Sequence, residues 1–467
     1  MPRPAFAGFA SEAPTRGAGV SPASGAGLVP GAPEAGGTPA PLPKLCATSD
    51  WMLDVRRSML DVRRMSRPLP NIVHLDADAF FVSVELALQP QYRGKKVAVG
   101  GRERGIIASA SYEARACGVY TPMPTARALK ICPDLILLPH KGSYGDVSRR
   151  MFDLCENLTP IVQRNSIDEG YLDVTMCGFK TQDEIVAAIR DLQNRIWQQL
   201  QIPVSMGIAT NRLVAQIASK LRKPRGFVVV PPGEEAAFLA PLSIGKLPGV
   251  GQKTEETLNA RGLRIVSDIT TLAARCLAPG AGATGERELA ATLGSGWPDL
   301  VAAARGEDDR PVHTDHEDAK SYSKQETFPA DVGDFATIES VAKGMIDELM
   351  PDIRADGKRV RTLTVKVRYG DFTQRSAAHS LSDATDLETL FYPHVAPLLR
   401  QAWLQHRPLR LVSVKLSGVD AADGVQLDMF ARTDEKRRQL AAVLDKLNAT
   451  AAKGSPPLVR HGHQLRH

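Results

Sequence analysis

Four carboxylates in two short segments are the residues of this sequence whose types and spacing best suit chemistry. Asp76 and Asp78 come at the end of an apolar segment, residues 72–75, that is typical of a buried strand. Asp168 and Glu169 are adjacent, and their apolar flanks indicate a tight turn that leads into a second strand. Acids held side by side are costly unless a cation neutralises them. The pattern therefore predicts a cation site at the edges of two strands.

The elements around these acids alternate between strands and helices. Residues 70–81 are predicted to form the first strand, and residues 184–200 have the apolar spacing of a helix. A strand over residues 204–209 and a helix over residues 212–221 follow. Alternation of this kind predicts an α+β sheet, and we expect its helices on one face.

The composition is that of a globular chain with several domains. Its 467 residues exceed what one hydrophobic core usually organises, so we expect three or four domains. The net charge of +6 agrees with an anionic partner, although so small an excess is weak support by itself. The six cysteines contain no CxxC pair, which indicates reduced thiols in a cytoplasmic protein and no zinc site. No apolar run reaches the roughly 18 residues that span a membrane.

The N-terminal part differs from the rest of the chain. Residues 1–48 contain 28 Ala, Gly or Pro, which cannot bury enough apolar area to order the segment. Seven residues from Met52 are then repeated almost verbatim from Met59, and two copies are too few for a repeat fold. We therefore interpret residues 1–69 as a disordered extension, with Met65 as a candidate start of the native protein.

The C-terminal half divides into a helical region and a mixed one. Residues 233–310 are predicted to be helical, and the glycines of Leu247–Thr254 would let backbone N–H groups approach a phosphate. Residues 311–319 are polar and indicate a linker. Residues 320–420 have the pattern of a β-α-β-β-α-β unit. Its second strand, residues 361–369, alternates apolar with polar or basic residues, so one of its faces could contact phosphates.

Together these motifs resemble the Y-family DNA polymerases, and most closely the bacterial DinB (DNA polymerase IV) group. The resemblance covers about residues 70–430 and includes Phe80-Phe81 after the first acids and Ser166-Ile167-Asp168-Glu169. It implies an α+β multidomain fold like a right hand, with a ferredoxin-like palm, small fingers, a helical thumb with a helix-hairpin-helix, and a β-α-β-β-α-β little finger. The implied domains are the palm (70–81 and 141–232), the fingers (82–140), the thumb (233–310), a linker (311–319), the little finger (320–420) and a C-terminal segment (421–467).

By this resemblance the acids hold two Mg²⁺ ions about 4 Å apart, which activate the primer 3′-hydroxyl and the pyrophosphate leaving group. Asp76 and Asp168 bridge both ions, Glu169 holds the ion near the primer end, and the Ala77 carbonyl serves the ion on the triphosphate side. Asp78 is left out, because the second acid of this strand often does not ligate metal in the family. Surface turn acids are the alternative for a lone Asp-Glu pair, and the surrounding motifs argue against it.

The resemblance also implies a nucleotide pocket. Phe81 matches the family's steric gate, whose ring stacks under the sugar and excludes a 2′-hydroxyl; plain core packing is the alternative. Tyr112 and Arg115 lie three residues apart on one helix face and match the contacts to the triphosphate. Lys223 matches the lysine that reaches the same phosphates, and Ser109 is a further candidate hydroxyl. An ordinary helix face is the alternative for Tyr112 and Arg115.

Two further segments indicate macromolecular partners. Gly249-Val250-Gly251, with Lys253, resembles a hairpin that binds backbone phosphate without reading sequence; a helix end followed by a new helix is the alternative. Gln426-Leu427-Asp428-Met429-Phe430 resembles the peptide that binds the bacterial sliding clamp, its β subunit. Beyond it, residues 435–447 are predicted to form a basic amphipathic helix, in a tail that we expect to be a solvated arm near DNA.

The function implied is template-directed DNA synthesis of the translesion type. Such an enzyme adds dNTPs to a primer 3′ end with low fidelity and no proofreading, in damage tolerance and untargeted mutagenesis. We expect a monomer, associated with the nucleoid when on DNA. A family member specialised for another bypass role, an inactive adaptor that binds clamp and DNA, and a nucleotidyl cyclase are the alternatives. The three intact acids argue against the adaptor, and the hairpin and the clamp peptide argue against the cyclase.

Overall fold

In the computed structural model, strands and helices alternate along most of the described chain. The structure describes residues 69–101, 104–314, 318–404, 407–421, 432–449 and 458–459, all within one unit that spans Met59–His467. The strands are β1 (Ile72–Ala77), β2 (Val97–Gly100), β3 (Ile106–Ala110), β4 (Met123–Pro124), β5 (Ile136–Leu138), β6 (Val162–Arg164), β7 (Glu169–Asp173), β8 (Val204–Ala209), β9 (Phe227–Val229), β10 (Ser321–Val332), β11 (Lys358–Tyr369), β12 (Gln374–Thr385) and β13 (Leu409–Ala421).

The α-helices pack against these sheets or form the thumb. They are α1 (Phe80–Leu88), α2 (Tyr112–Ala116), α3 (Thr125–Ile131), α4 (Tyr144–Glu156), α5 (Gln182–Leu200), α6 (Arg212–Leu221), α7 (Glu235–Leu239), α8 (Gln252–Ala260), α9 (Val266–Cys276), α10 (Gly282–Leu293), α11 (Trp297–Ala304), α12 (Phe335–Ala355), α13 (Tyr392–Ala402) and α14 (Arg432–Ala449). Within the described residues, no helix is both long and apolar enough to cross a bilayer.

The palm sheet has the strand order β6-β7-β1-β8-β9, with β1 antiparallel to both of its neighbours. Successive residues of a strand point to opposite faces. Val73 and Leu75 share an apolar cluster with α4 and α5, whereas Ile72 shares one with α6 and the thumb. The expectation of helices on one face was therefore wrong. All six residues of β1 are buried, because both faces of the sheet are covered.

The first strand is also shorter than predicted. It ends at Ala77, and the segment predicted as strand up to residue 81 instead begins α1 at Phe80. Ala79 turns the chain with a left-handed backbone, φ 45°. Phe80 then packs into the palm core, as expected, while Val82 packs against β2 and β5 in the fingers. Helix α1 thus joins the palm to the fingers.

The fingers are built on a small sheet with the order β4-β3-β2-β5. The predicted helix after β3 is present as α2. Ser111 precedes it, and its side chain accepts a hydrogen bond from the Ala114 backbone N–H at 3.2 Å, which is an N-cap arrangement. The chain leaves this helix through Gly118 at φ 89°, as the sequence predicted.

The thumb is helical, as predicted, and packs on the palm through α6. Leu213 and Ile217 of α6 share an apolar cluster with Leu258 of α8 and Val266 of α9. The glycine hairpin precedes α8, and Gly249 has a φ of 88°, a conformation that glycine adopts without strain.

The predicted β-α-β-β-α-β unit of the little finger is present. Its sheet has the order β10-β13-β11-β12, and α12 and α13 pack on one face. On β11 the buried residues Val365 and Val367 alternate with the partly exposed Lys366 and Arg368, so the predicted polar face exists.

The C-terminal helix α14 is docked on the little finger and is not the solvated arm that the sequence suggested. Arg354 of α12 donates to both carboxylate oxygens of Asp445, at 2.6 and 2.8 Å. Arg438 donates to Asp386 at 3.0 Å, and Ala441 is buried. These contacts supply the packing and charge partners that a free basic tail would lack.

Candidate active site

The register of the palm sheet brings the predicted acids together. Asp76 on β1 lies opposite Glu169 on β7, and the Ala77 backbone N–H donates to the Asp168 carbonyl at 2.8 Å. Asp76 is 8% exposed, and the Glu169 side chain is 25% exposed. Asp76 and Glu169 therefore face each other where β1 ends and β7 begins, and the backbone of Asp168 adjoins them.

Ser166 shapes the turn that presents Asp168 and Glu169. Its hydroxyl oxygen accepts hydrogen bonds from the backbone N–H groups of Asp168 at 3.2 Å and Glu169 at 3.1 Å. The same hydroxyl donates to the Asp168 carboxylate at 2.5 Å. The predicted tight turn is present. This role of Ser166 was not predicted from the sequence, although serine is a frequent turn residue.

Two ammonium groups, one in the last turn of α6 and one just beyond its end, lie among the acids. The Lys220 Nζ is 3.1 Å from Glu169 Oε2 and 4.0 Å from Asp76 Oδ2. Lys223 forms an ion pair with Asp76 and lies 3.6 Å from Asp78 Oδ1. Lys223 was predicted from the sequence and Lys220 was missed, although its position three residues earlier at a helix end could have indicated it.

Burial and charge act in opposite directions on the central acid. Burial raises the pKa of Asp76, and the nearby Lys223 and Lys220 oppose that rise. His74 is fully buried on the same face, with Nδ1 2.7 Å from Ser219 Oγ and Nε2 4.0 Å from Glu169. Burial lowers the pKa of His74, so the ring is neutral at pH 7. This histidine was not predicted from the sequence as part of the site.

Asp78 is held by hydrogen bonds that belong to the fold. Its buried carboxylate accepts from the Ser205 hydroxyl at 2.9 and 3.0 Å and from the Arg225 backbone N–H at 2.8 Å. The Tyr112 hydroxyl donates to it at 3.3 Å. A carboxylate with these partners has little free capacity for a metal, which agrees with its omission from the expected ligands.

The acids fit a divalent cation by their chemistry. Within the described part of the chain, no three His, Cys, Asp or Glu side chains are grouped closely enough to form a ready metal cage. The ammonium groups of Lys220 and Lys223 instead occupy the space among Asp76 and Glu169 and supply the neutralising charge. Carboxylate and carbonyl oxygens are the ligands that Mg²⁺ prefers, so the donor set suits this ion once the lysines move aside.

Phe81 lies beside the acids' strand at the start of α1 and is half-buried. Its ring packs edge-on against Tyr144 with 4.8 Å between centroids. The Tyr144 hydroxyl donates to the buried Glu85 at 2.7 Å, and Glu85 also accepts from the Lys141 and Gly142 backbone N–H groups. This support of Phe81 was not predicted from the sequence, because its members are separated by about 60 residues.

Tyr112 and Arg115 share one face of α2, as predicted. The Arg115 guanidinium lies over the Tyr112 ring at 4.8 Å, and its Nε donates to the Ala110 carbonyl at 3.0 Å. Burial raises the pKa of Tyr112, so its hydroxyl remains a donor. Ser109 is placed differently: it is only 4% exposed within β3, so a phosphate could reach its hydroxyl only after local rearrangement.

The residues predicted to contact DNA and the sliding clamp lie in other parts of the chain. Gly249, Val250 and Gly251 form the turn before α8, on which Lys253 is exposed. A Cβ at either glycine would meet open space, so a ligand could approach the backbone there. The peptide predicted to bind a clamp, residues 426–430, lies outside the described residues.

Family models match three parts of the chain. The impB/mucB/samB family matches residues 75–220, and its C-terminal domain matches residues 319–429. The HHH motif of the IMS family matches residues 232–263, which confirms the hairpin prediction.

Two bacterial proteins similar to this chain carry the same name. The chain is 66% identical over 399 residues to a DNA polymerase IV of Opitutus terrae, covering 85% of this chain and 98% of the relative. It is 37% identical to a DNA polymerase IV of Desulfatibacillum aliphaticivorans, covering 80% and 92%. Among solved structures, a Y-family DNA polymerase chimera of Dbh and Dpo4 aligns with a TM-score of 0.65 at 28% identity, covering 75% of this chain and 99% of that one. An insertion ternary complex of Dbh DNA polymerase aligns with a TM-score of 0.53 over the same shares.

Proposed function

The chain belongs to the impB/mucB/samB family of Y-family DNA polymerases, and from this premise we propose that Asp76, Asp168 and Glu169 form the centre at which it extends a primer. It is a DNA-directed DNA polymerase of the translesion type, and DNA is its partner. The observation that supports this assignment of the site is the pairing of Asp76 with Glu169 across β1 and β7, beside the hydrogen bond from the Ala77 N–H to the Asp168 carbonyl.

Asp76, Asp168, Glu169 and the Ala77 carbonyl would hold two Mg²⁺ ions in this proposal. Bound there, the ions would supply charge that activates the primer 3′-hydroxyl and stabilises the departing pyrophosphate. Ser166 keeps the two acids of the turn oriented through its three hydrogen bonds. Lys223 leaves Asp76 and, with Tyr112 and Arg115, binds the triphosphate of the incoming nucleotide.

Phe81 selects the sugar in this scheme. Its ring is fixed by edge-on contact with Tyr144, which is in turn fixed by Glu85. A ring that cannot swing away leaves no space for a 2′-hydroxyl, so deoxynucleotides are accepted and ribonucleotides are excluded.

Two surfaces hold the duplex by its phosphates. The open backbone of Gly249–Gly251 at the start of α8 suits one phosphate, with Lys253 beside it. On the little finger, Lys366 and Arg368 line the face of β11 away from the core, and Lys415 on β13 pairs in register with Thr364. Such contacts read no base sequence, which suits an enzyme that works anywhere on DNA.

Low fidelity follows from the size of the fingers. Fidelity by shape needs a closing pocket that rejects a wrong pair, and the fingers here amount to a four-stranded sheet with short helices. The described elements are assigned to the palm, the fingers, the thumb and the little finger, and none of them is left over for a proofreading domain. We therefore propose that the enzyme synthesises DNA without proofreading and acts in damage tolerance and untargeted mutagenesis. We propose that the enzyme is a monomer and that it acts on DNA in the cytoplasm.

The peptide Gln426–Phe430 would bind the bacterial sliding clamp. Its glutamine anchors the peptide, and Leu427 and Phe430 supply apolar side chains for a pocket. Pull-down of the full chain on immobilised β subunit tests this: Leu427→Ala with Phe430→Ala should abolish capture, and capture at the wild-type level would contradict it.

Primer extension on an undamaged template, with Mg²⁺ and dNTPs, tests the catalytic assignment. We expect extension by the wild type, loss of at least about 10³-fold in Asp168→Ala, and normal rates in Asp183→Ala, which removes an exposed carboxylate from the start of α5. If wild type and Asp168→Ala extend equally, the metal site lies elsewhere. If neither extends although both bind primer–template, the inactive adaptor becomes the better description.

A further inference from the structure

The hairpin between β11 and β12 carries an aromatic side chain that has no role in the sites described above. Phe372 at its tip is 63% exposed, and its φ is 66°. Residues other than glycine rarely adopt this left-handed conformation, and for a bulky side chain it is an outlier. Strain of this kind persists where the surrounding structure enforces it, and it is concentrated at functional positions.

Hydrogen bonds fix the hairpin tip. The Phe372 N–H donates to the Tyr369 carbonyl at 3.0 Å, and the Tyr369 N–H donates to the Thr373 carbonyl at 2.9 Å. The Asp371 carboxylate accepts from the Thr373 hydroxyl at 2.6 Å and from Arg407 at 2.9 Å, which lowers the pKa of Asp371 to about 2. The ring is therefore presented on a rigid turn.

The ring has a cation against it and remains largely open to solvent. The Arg410 guanidinium lies 4.8 Å from the Phe372 centroid. An aromatic ring with an adjacent arginine commonly binds a nucleotide, because the base stacks on the ring while the arginine binds the neighbouring phosphate.

The hairpin lies where the little finger meets the fingers. A Cβ on Gly370 would come within 2.7 Å of Asp331 Oδ2, so the hairpin touches that carboxylate. Asp331 in turn forms an ion pair with Arg104 of the fingers. A strand of DNA that passes between these two domains would reach Phe372.

We propose that Phe372 stacks on an unpaired base of the template strand ahead of the primer end. Bases inside a duplex are already stacked on both faces, so an exposed ring stacks most readily on an unpaired base. The template beyond the primer end is the single-stranded part of a polymerase's substrate. The inference rests on the proposed function, because it requires primer–template DNA bound at the palm.

Binding of two DNAs by the full chain tests the proposal. One is a primer–template with a 5′ template overhang of about ten nucleotides, and the other is the same duplex with a blunt end, both with a fluorophore for anisotropy at the distal end. We expect Phe372→Ala to weaken binding of the overhang DNA by about 5- to 150-fold, the range of one stacked base, and to change blunt-duplex binding less than twofold. Phe372→Leu should lose most of the same preference, because it keeps apolar area without a flat ring.

A second measurement locates the base. 2-Aminopurine placed at successive overhang positions should be quenched at one position by the wild type and not by Phe372→Ala. Leu88→Ala, which truncates a 58% exposed side chain on α1, should behave as the wild type in both assays. An overhang preference retained by Phe372→Ala, or an equal loss for both DNAs, would overturn the proposal. If the wild type binds neither DNA and extends no primer, the proposed function itself fails.

Discussion

Asp76 and Glu169 lie directly opposite each other across an antiparallel strand pair, and the ammonium group of Lys220 approaches both. Two acids in this relationship repel each other in the folded protein. Lys220 of α6 and Lys223, just beyond its end, offset that repulsion, so the palm can keep these acids together without a bound metal.

Lys220 is expected to compete with divalent cations. Lys220→Met removes a positive charge 3.1 Å from Glu169, so Mn²⁺ should bind tighter by about 2- to 5-fold in an EPR titration, the range for a partly exposed ion pair. The melting temperature in EDTA should fall at the same time. Lys130→Met, an exposed lysine on α3, serves as the matched control. Weaker Mn²⁺ binding in Lys220→Met would show that this lysine supports the metal and does not oppose it.

Truncation of Asp78 should lower the stability of the fold, whereas truncation of Asp168 should abolish primer extension. Asp78→Ala leaves the buried Ser205 hydroxyl and Arg225 N–H without their acceptor, so we expect a loss of about 2–4 kcal/mol in the free energy of unfolding. Asp168→Ala should change stability by less than about 1 kcal/mol and abolish extension. Urea denaturation of both variants checks this contrast, and a stable Asp78→Ala that lacks only metal binding would make Asp78 a ligand.

Phe81 should control sugar selection. Phe81→Ala is expected to raise ribonucleotide incorporation relative to deoxynucleotide by at least about tenfold, measured as the ratio of kcat/KM values in single-nucleotide extension. Tyr144→Phe keeps the ring that supports Phe81 but removes the hydrogen bond to Glu85, so its effect should have the same sign and be smaller. Unchanged discrimination in Phe81→Ala would return this residue to a packing role.

The docking of α14 should depend on the ion pair between Arg354 and Asp445. Arg354→Ala leaves Glu388, 5% exposed, and Asp445 without their shared cation. We expect a loss of about 2–4 kcal/mol in unfolding free energy and faster trypsin cleavage after Lys436, detected by mass spectrometry. Asp445→Asn should release the helix with a smaller loss, because Arg354 keeps Glu388. Trypsin resistance equal to the wild type would show that apolar packing and the Arg438–Asp386 pair are enough to hold α14.

The sequence predicted those features that depend on local pattern. The alternation of Val365 and Val367 with Lys366 and Arg368 is visible in the chain and indicated the correct faces of β11. The helix α5 was predicted within two residues of its start. The register that places Asp76 opposite Glu169 depends on pairing between segments about 90 residues apart, and no local pattern specifies it.

Other features were missed because their cause is tertiary. The end of β1 at Ala77 depends on the turn at Ala79, whose residue type does not favour a left-handed backbone. His74 and Asp76 interrupt the apolar residues of β1, so its burial on both faces was not visible in the sequence pattern. The pairing of Arg354 with Asp445 joins residues 91 positions apart, so the sequence showed only a basic helix with no visible partner.

The docking of α14 limits how far from the little finger a partner bound to residues 426–430 could lie. β13 ends at Ala421 and α14 begins at Arg432, and both belong to elements fixed on the little finger. The residues between them can span at most about 35–40 Å when fully extended, and a chain anchored at both ends can reach outward only about half as far. A partner that bound residues 426–430 would therefore come within about 20 Å of the little finger. A partner bound to this segment and the little finger would then be held together by a short tether with two fixed ends.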